Sequence, residues 1–105
     1  MNLLQFIPYL ENESEMEEVI LEHEPELDIE LADIYLKKEL SIYSEMFFFN
    51  SEEIEGKLEM EIEGNLLVNL FPLDYLIDVY SQYKNLGGTN QEIAQKIISF
   101  RIKDA

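Results

Sequence analysis

The chain has 105 residues, enough for one core and one expected acidic domain over 1–105. Hydrophobic residues make up 47% and aromatics 11%, which points to a folded globule rather than a disordered chain. No cysteine and a single histidine exclude a disulfide framework, a zinc–thiolate site, a cysteine nucleophile and a multi-histidine metal site. The 23 acids against 7 bases leave a formal charge of −16, which opposes direct contact with nucleic-acid phosphates or anionic membranes.

Residues 1–10 are apolar and contain neither lysine nor arginine. A secretory leader wants a basic start and a small-residue cleavage site, so the expected location is the cytoplasm. Residues 12–24 read as an amphipathic helix. Met16, Val19, Ile20 and His23 share one face, Asn12 or Ser14 is the candidate cap, and Pro25 is the stop. A second, longer helix is expected within 28–48. It starts at Glu30, with residues 26–29 open between helix and strand and Phe47–Phe49 as an alternative strand. Residues 57–71 read as a β-hairpin. Leu58, Met60 and Ile62 alternate with Lys57, Glu59, Glu61 and Glu63, and Gly64-Asn65 is the expected turn. Pro72 suits the first position of a helix over 72–85, and Gly87-Gly88 its end. Thr89 and Glu92 form a capping box for a last helix over 90–103.

These elements predict an α+β fold of about four helices and one antiparallel hairpin, with an all-α bundle as the alternative. The expected core is Ile20, Ile34, Leu40, Leu58, Met60, Ile62, Leu76, Tyr80, Ile93 and Ile97. Residues 88–97 look like the first half of a DNA-binding helix-turn-helix, but the capping box and apolar stripe explain them as structure, and the charge opposes DNA.

The net charge is localised. Residues 11–63 hold 19 acids and 3 bases, whereas residues 64–105 hold 4 of each. Like charges one helical turn apart, such as Glu13/Glu17 and Glu18/Glu22, cost a few tenths of a kcal/mol each, about the inverse of a favourable pair. A chain that keeps this repulsion in one half only is expected to use it on a basic partner. The candidate partner-binding residues are Glu26, Asp28, Glu30, Asp33, Tyr35, Tyr43, Glu52 and Glu53: carboxylates to pair with lysine and arginine, tyrosines to supply burial. No nucleophile motif, EF-hand pattern or phosphate-binding glycine loop occurs, so no catalysis, metal or cofactor is expected.

The stretches NLFPLDYLI (residues 69–77) and QEIAQKIISFRIKDA (residues 91–105) resemble small immunity proteins of bacterial contact-dependent growth inhibition and related polymorphic toxin systems. The likeness covers about the last 40 residues. It implies a bacterial cytosolic antidote that binds and blocks a cognate toxin, expected to be a basic nuclease. These families differ widely in fold, so the resemblance carries over no site residue. Two alternatives use the same charge: a nucleic-acid mimic that inhibits a restriction or CRISPR nuclease, and a non-catalytic assembly subunit.

Overall fold

The computed structural model describes residues 1–104, with the side chain of Asp104 left aside. A short helix α1 (Leu3–Phe6) and a 3₁₀ turn (Ile7–Glu11) lead into α2 (Glu13–His23). A second 3₁₀ turn (Ile29–Leu31) opens into strand β1 (Ala32–Lys37), followed by β2 (Met46–Asn50), a single helical turn α3 (Ser51–Ile54), β3 (Glu59–Ile62) and β4 (Asn65–Pro72). Helices α4 (Leu73–Asn85) and α5 (Asn90–Asp104) complete the described chain. The strands form one antiparallel sheet in the order β2-β1-β4-β3. The α+β class therefore holds and the all-α alternative fails, but the sheet is twice the size of the expected hairpin.

Side chains of adjacent strand residues point to opposite faces of the sheet. One face presents Ile34, Leu36, Met46, Phe48 and Leu70, which share a buried cluster with Leu3, Phe6, Met16, Ile20, Leu76, Tyr80, Ile93 and Ile97 of the helices. The Arg101 guanidinium donates to the Leu70 carbonyl at 2.9 Å and ties α5 to β4. The other face carries Tyr35 and Leu67, covered by Ile54 of α3, with Phe47, Phe49 and Met60 half-buried beside them.

The helix expected from Glu30 through residue 48 is instead β1, a connecting loop and β2. Its centre, Ala32 to Leu36, is buried at five consecutive positions because β1 lies inside the sheet with both faces covered. Such a strand loses the alternation that marks a half-exposed one, and its apolar run fits either period. The Phe47–Phe49 alternative was the correct reading of that end.

The hairpin at 57–71 is present, but Ile62 pairs with Asn65, so the turn residues are Glu63 and Gly64, both with positive φ, rather than Gly64-Asn65. Two expected core residues are exposed: Leu58 at 66% and Ile62 at 41%. β3 is an edge strand, and of its three apolar residues only the central Met60 packs against the second cluster.

The helices at both ends follow their caps. Asn12 Oδ1 accepts from the Glu15 amide at 3.1 Å, and α2 stops two residues before Pro25. The Thr89–Glu92 box closes in both directions, at 3.1 and 3.2 Å. Pro72 flanks α4 as its cap residue, one position earlier than expected. Residues 1–11, given no element from sequence, form helical turns whose Leu3, Phe6 and Ile7 are fully buried.

Candidate acidic docking groove

The groove lies along the β2 side of the sheet. Pro25 breaks the chain after α2, and a turn closed by the Leu27 amide donating to the Glu24 carbonyl at 3.1 Å brings Glu24, Glu26 and Leu27 beside β2. At the far end of β2, Asn50 caps α3 through its side chain, accepting from the Glu52 amide at 3.0 Å, and places Glu52 and Glu53 in the first turn of that helix. Between these two corners lies a cavity of about 210 Å³ lined by Glu24, Glu26, Leu27, Phe48, Phe49, Asn50 and Glu53. A second cavity of about 170 Å³ adjoins it, sharing Glu24 and Phe48 and adding His23, Glu45, Met46 and Phe47.

The chemistry of this pair of hollows is a rim of carboxylates along the edge of β2, with the buried Phe48 ring on the helix side of the sheet and the half-buried Phe47 and Phe49 on the other. A lysine or arginine side chain lays its aliphatic stem on apolar surface and keeps its charged end at the polar rim. A guanidinium also gains from the face of an aromatic ring. The histidine has a structural contact of its own: His23 Nδ1 lies 2.9 Å from the Val19 carbonyl, one turn back on α2, and its ring packs edge-on to Phe48 at 6.4 Å. Among the described residues, no three histidine or acidic side chains converge closely enough to hold a metal ion.

Of the residues expected at a docking surface, Glu26 and Glu53 meet at the first cavity, and Glu52 is exposed beside Glu53 on α3. Asp28 and Glu30 are exposed on the 3₁₀ turn, where the Asp28 carboxylate accepts from the Glu30 amide at 3.1 Å. Tyr43 is 63% exposed but stands at a different hollow, with Lys37, Lys38 and Glu39.

Asp33 and Tyr35 are not at the surface. β1 carries both onto the sheet face opposite the helices, where Asp33 is 6% and Tyr35 0% exposed. The Tyr35 hydroxyl donates to the Lys57 carbonyl, and its ring meets Phe49 edge-on at 5.5 Å. Asp33 accepts from Asn69 Nδ2 at 2.9 Å and from the Ile34 amide at 3.1 Å. Burial raises its carboxyl above the ordinary aspartate range, against those two hydrogen bonds, and the Asp74 charge adds to the rise.

Glu24, Glu45 and Phe48 complete the groove and went unrecognised in the sequence. The visible signal was the β-prone run Met46–Asn50, which as a strand places Phe47 and Phe49 on one face and Met46 and Phe48 on the other.

The acidic half stays uncompensated in the folded chain. Among the described residues the one ion pair joins Lys84 to Glu11 at 3.1 Å, so neither Glu24, Glu26, Glu45 nor Glu53 has a basic partner there. Comparison with protein-family models, curated proteins and solved structures finds no match.

Proposed function

We propose that this chain is a non-catalytic inhibitor of the immunity-protein kind: a cytoplasmic antidote that binds a basic toxin, expected to be a nuclease, and blocks it by covering its substrate surface. The observation that carries the reading is the uncompensated charge. Among the described residues the net −16 confined to residues 11–63 leaves only Glu11 paired, and that pair is to a lysine of the other half. Nuclease surfaces are basic because they must hold phosphates. A carboxylate-rimmed groove along the edge of β2 offers such a surface the counter-charges it otherwise finds in nucleic acid.

Opposite charges steer the encounter, with association up to about 10⁸–10⁹ M⁻¹s⁻¹ at low salt. The carboxylates then pair with the toxin's lysines and arginines, and the nucleic acid is excluded by occupation. The resemblance of residues 69–77 and 91–105 to immunity proteins supports the same reading.

The test is inhibition of a candidate nuclease domain encoded beside this chain, measured as association rate against salt. Replacement of Glu24, Glu26 and Glu53 by lysine is expected to slow association at least tenfold at low salt, about 1.4 kcal/mol in the encounter barrier. The difference between the variant and the natural chain is expected to shrink as salt rises. Equal rates for both at low salt refute the docking groove, and a complex that leaves the nuclease active reduces the role to assembly.

A further inference from the structure

We propose that the face formed by α4, α5 and the end of β4 is a self-complementary surface through which two copies of this chain pair. Four aromatic rings run across it in contact: Tyr75 with Phe71 at 5.0 Å, Phe71 with Phe100 at 6.1 Å, and Phe100 with Tyr83 at 6.5 Å. They floor two adjoining grooves. The first, of about 470 Å³, holds Phe71 and Tyr75 and is bordered by Asp74 and Asp78. The second, of about 440 Å³, holds Tyr83 and Phe100 and is bordered by Lys96 and Lys103. Glu92 also borders the second groove, but its carboxylate is engaged by the Thr89 amide at 3.1 Å. Tyr75, Leu86 and Ile102, from the same two helices and their junction, are 41%, 75% and 56% exposed.

The occupant follows from charge. Two chains of net charge −16 repel most where that charge lies, and residues 64–105, with four acids and four bases, form the part of the surface where the repulsion is least. Within it one groove is acidic and its neighbour basic. A two-fold axis lays the acidic groove of each copy on the basic groove of the other, so every charge pair forms twice and the ring row is buried. Asp78 makes no ion pair among the described residues, and Lys96, though its charge acts on Glu92 one turn back, makes no direct pair there either. The surface does not use the carboxylates of the docking groove and stands independently of the function proposed above.

Sedimentation equilibrium of the full chain decides it. The natural chain is expected to dimerise at tens of micromolar. Asp78→Lys, and separately Lys96→Glu with Lys103→Glu, are each expected to weaken the dimer at least tenfold. Circular dichroism identifies any variant that has lost its fold. Mixed in equal amounts, the two variants are expected to form a heterodimer, because lysine then faces glutamate or aspartate across both symmetric contacts. A natural chain that stays monomeric to millimolar concentration overturns the proposal. A dimer that neither variant weakens, or weakened variants that do not recover on mixing, overturns it equally.

Discussion

Asp33 is a carboxylate in the interior of a chain that has acids to spare on its surface. Its raised folded-state value means that the folded form holds its proton to higher pH than the unfolded form does, near 3.9. The sign follows: this group costs nothing below that unfolded value, and stability falls as pH rises from there through the folded value. Asp33→Asn keeps an oxygen to accept from Asn69 and the Ile34 amide while removing the charge. The variant is therefore expected to gain melting temperature over the natural chain at pH 7, and to lose that gain at pH 3. Calorimetry at the two pH values checks it, and a gain largest at pH 3 contradicts it. Tyr80 is shifted the same way: burial, with the adjacent Glu11 carboxylate accepting its hydroxyl, pushes it up to about 12, so it stays neutral at every pH of interest. Tyr35→Phe removes the hydroxyl that holds the Lys57 carbonyl and is expected to cost about 1 kcal/mol in urea unfolding. Being buried, it is expected to leave partner association unchanged, so a large loss of binding there returns Tyr35 to the docking surface.

The elements divide by how much of their signal is local. α2, α4 and α5 were legible because their stops and caps are side-chain chemistry written in adjacent residues: Asn12 and Pro25, Gly87-Gly88, and Thr89 with Glu92. The β3–β4 hairpin was legible from alternation along its half-exposed strands. β1 and β2 were not: β1 is covered on both faces and carries no period, its β4 partner lies thirty or more residues on, and the link between β1 and β2 is an irregular loop with no tight-turn signal. The groove shared that fate. Glu26 and Glu53 stood out as acids, but nothing local brings residue 24 to residue 53; only the placement of β2 beside the α2 turn does so. Asp33 and Tyr35 were misplaced for the same reason, since Tyr35 is covered by Ile54 and bonded to the Lys57 carbonyl, and Asp33 is bonded to Asn69 of β4, all distant in sequence. At the turn of the hairpin, Glu63 holds φ at 52° next to Gly64 at 81°. Asparagine tolerates that region better than glutamate, so Glu63→Asn is expected to stabilise the chain by about 0.5 kcal/mol. Denaturant unfolding reads it, and a destabilised variant shows that the turn is not the one described.

At the scale of the whole molecule, the charge is segregated by sequence half, and the two halves offer different surfaces. Residues 11–63 supply carboxylates along the edge of β2, and residues 64–105 supply a balanced face with an aromatic row. Reversal of Asp78 is expected to alter self-association and not partner binding, whereas reversal at Glu24, Glu26 and Glu53 is expected to do the converse. Salt separates them further. Steering by the net charge is screened beyond about 8 Å at 0.15 M. The measurement that tests the central claim most directly is parallel capture from source cells on the natural chain and on the Glu24→Lys, Glu26→Lys, Glu53→Lys variant, with each enriched protein identified by mass spectrometry and assayed for nuclease activity. The account predicts a basic protein enriched on the natural chain alone, whose nuclease activity is lost when the chain is added back. Enrichment of the same protein to the same degree on both chains, or a captured protein that cleaves nucleic acid undiminished in the complex, contradicts it.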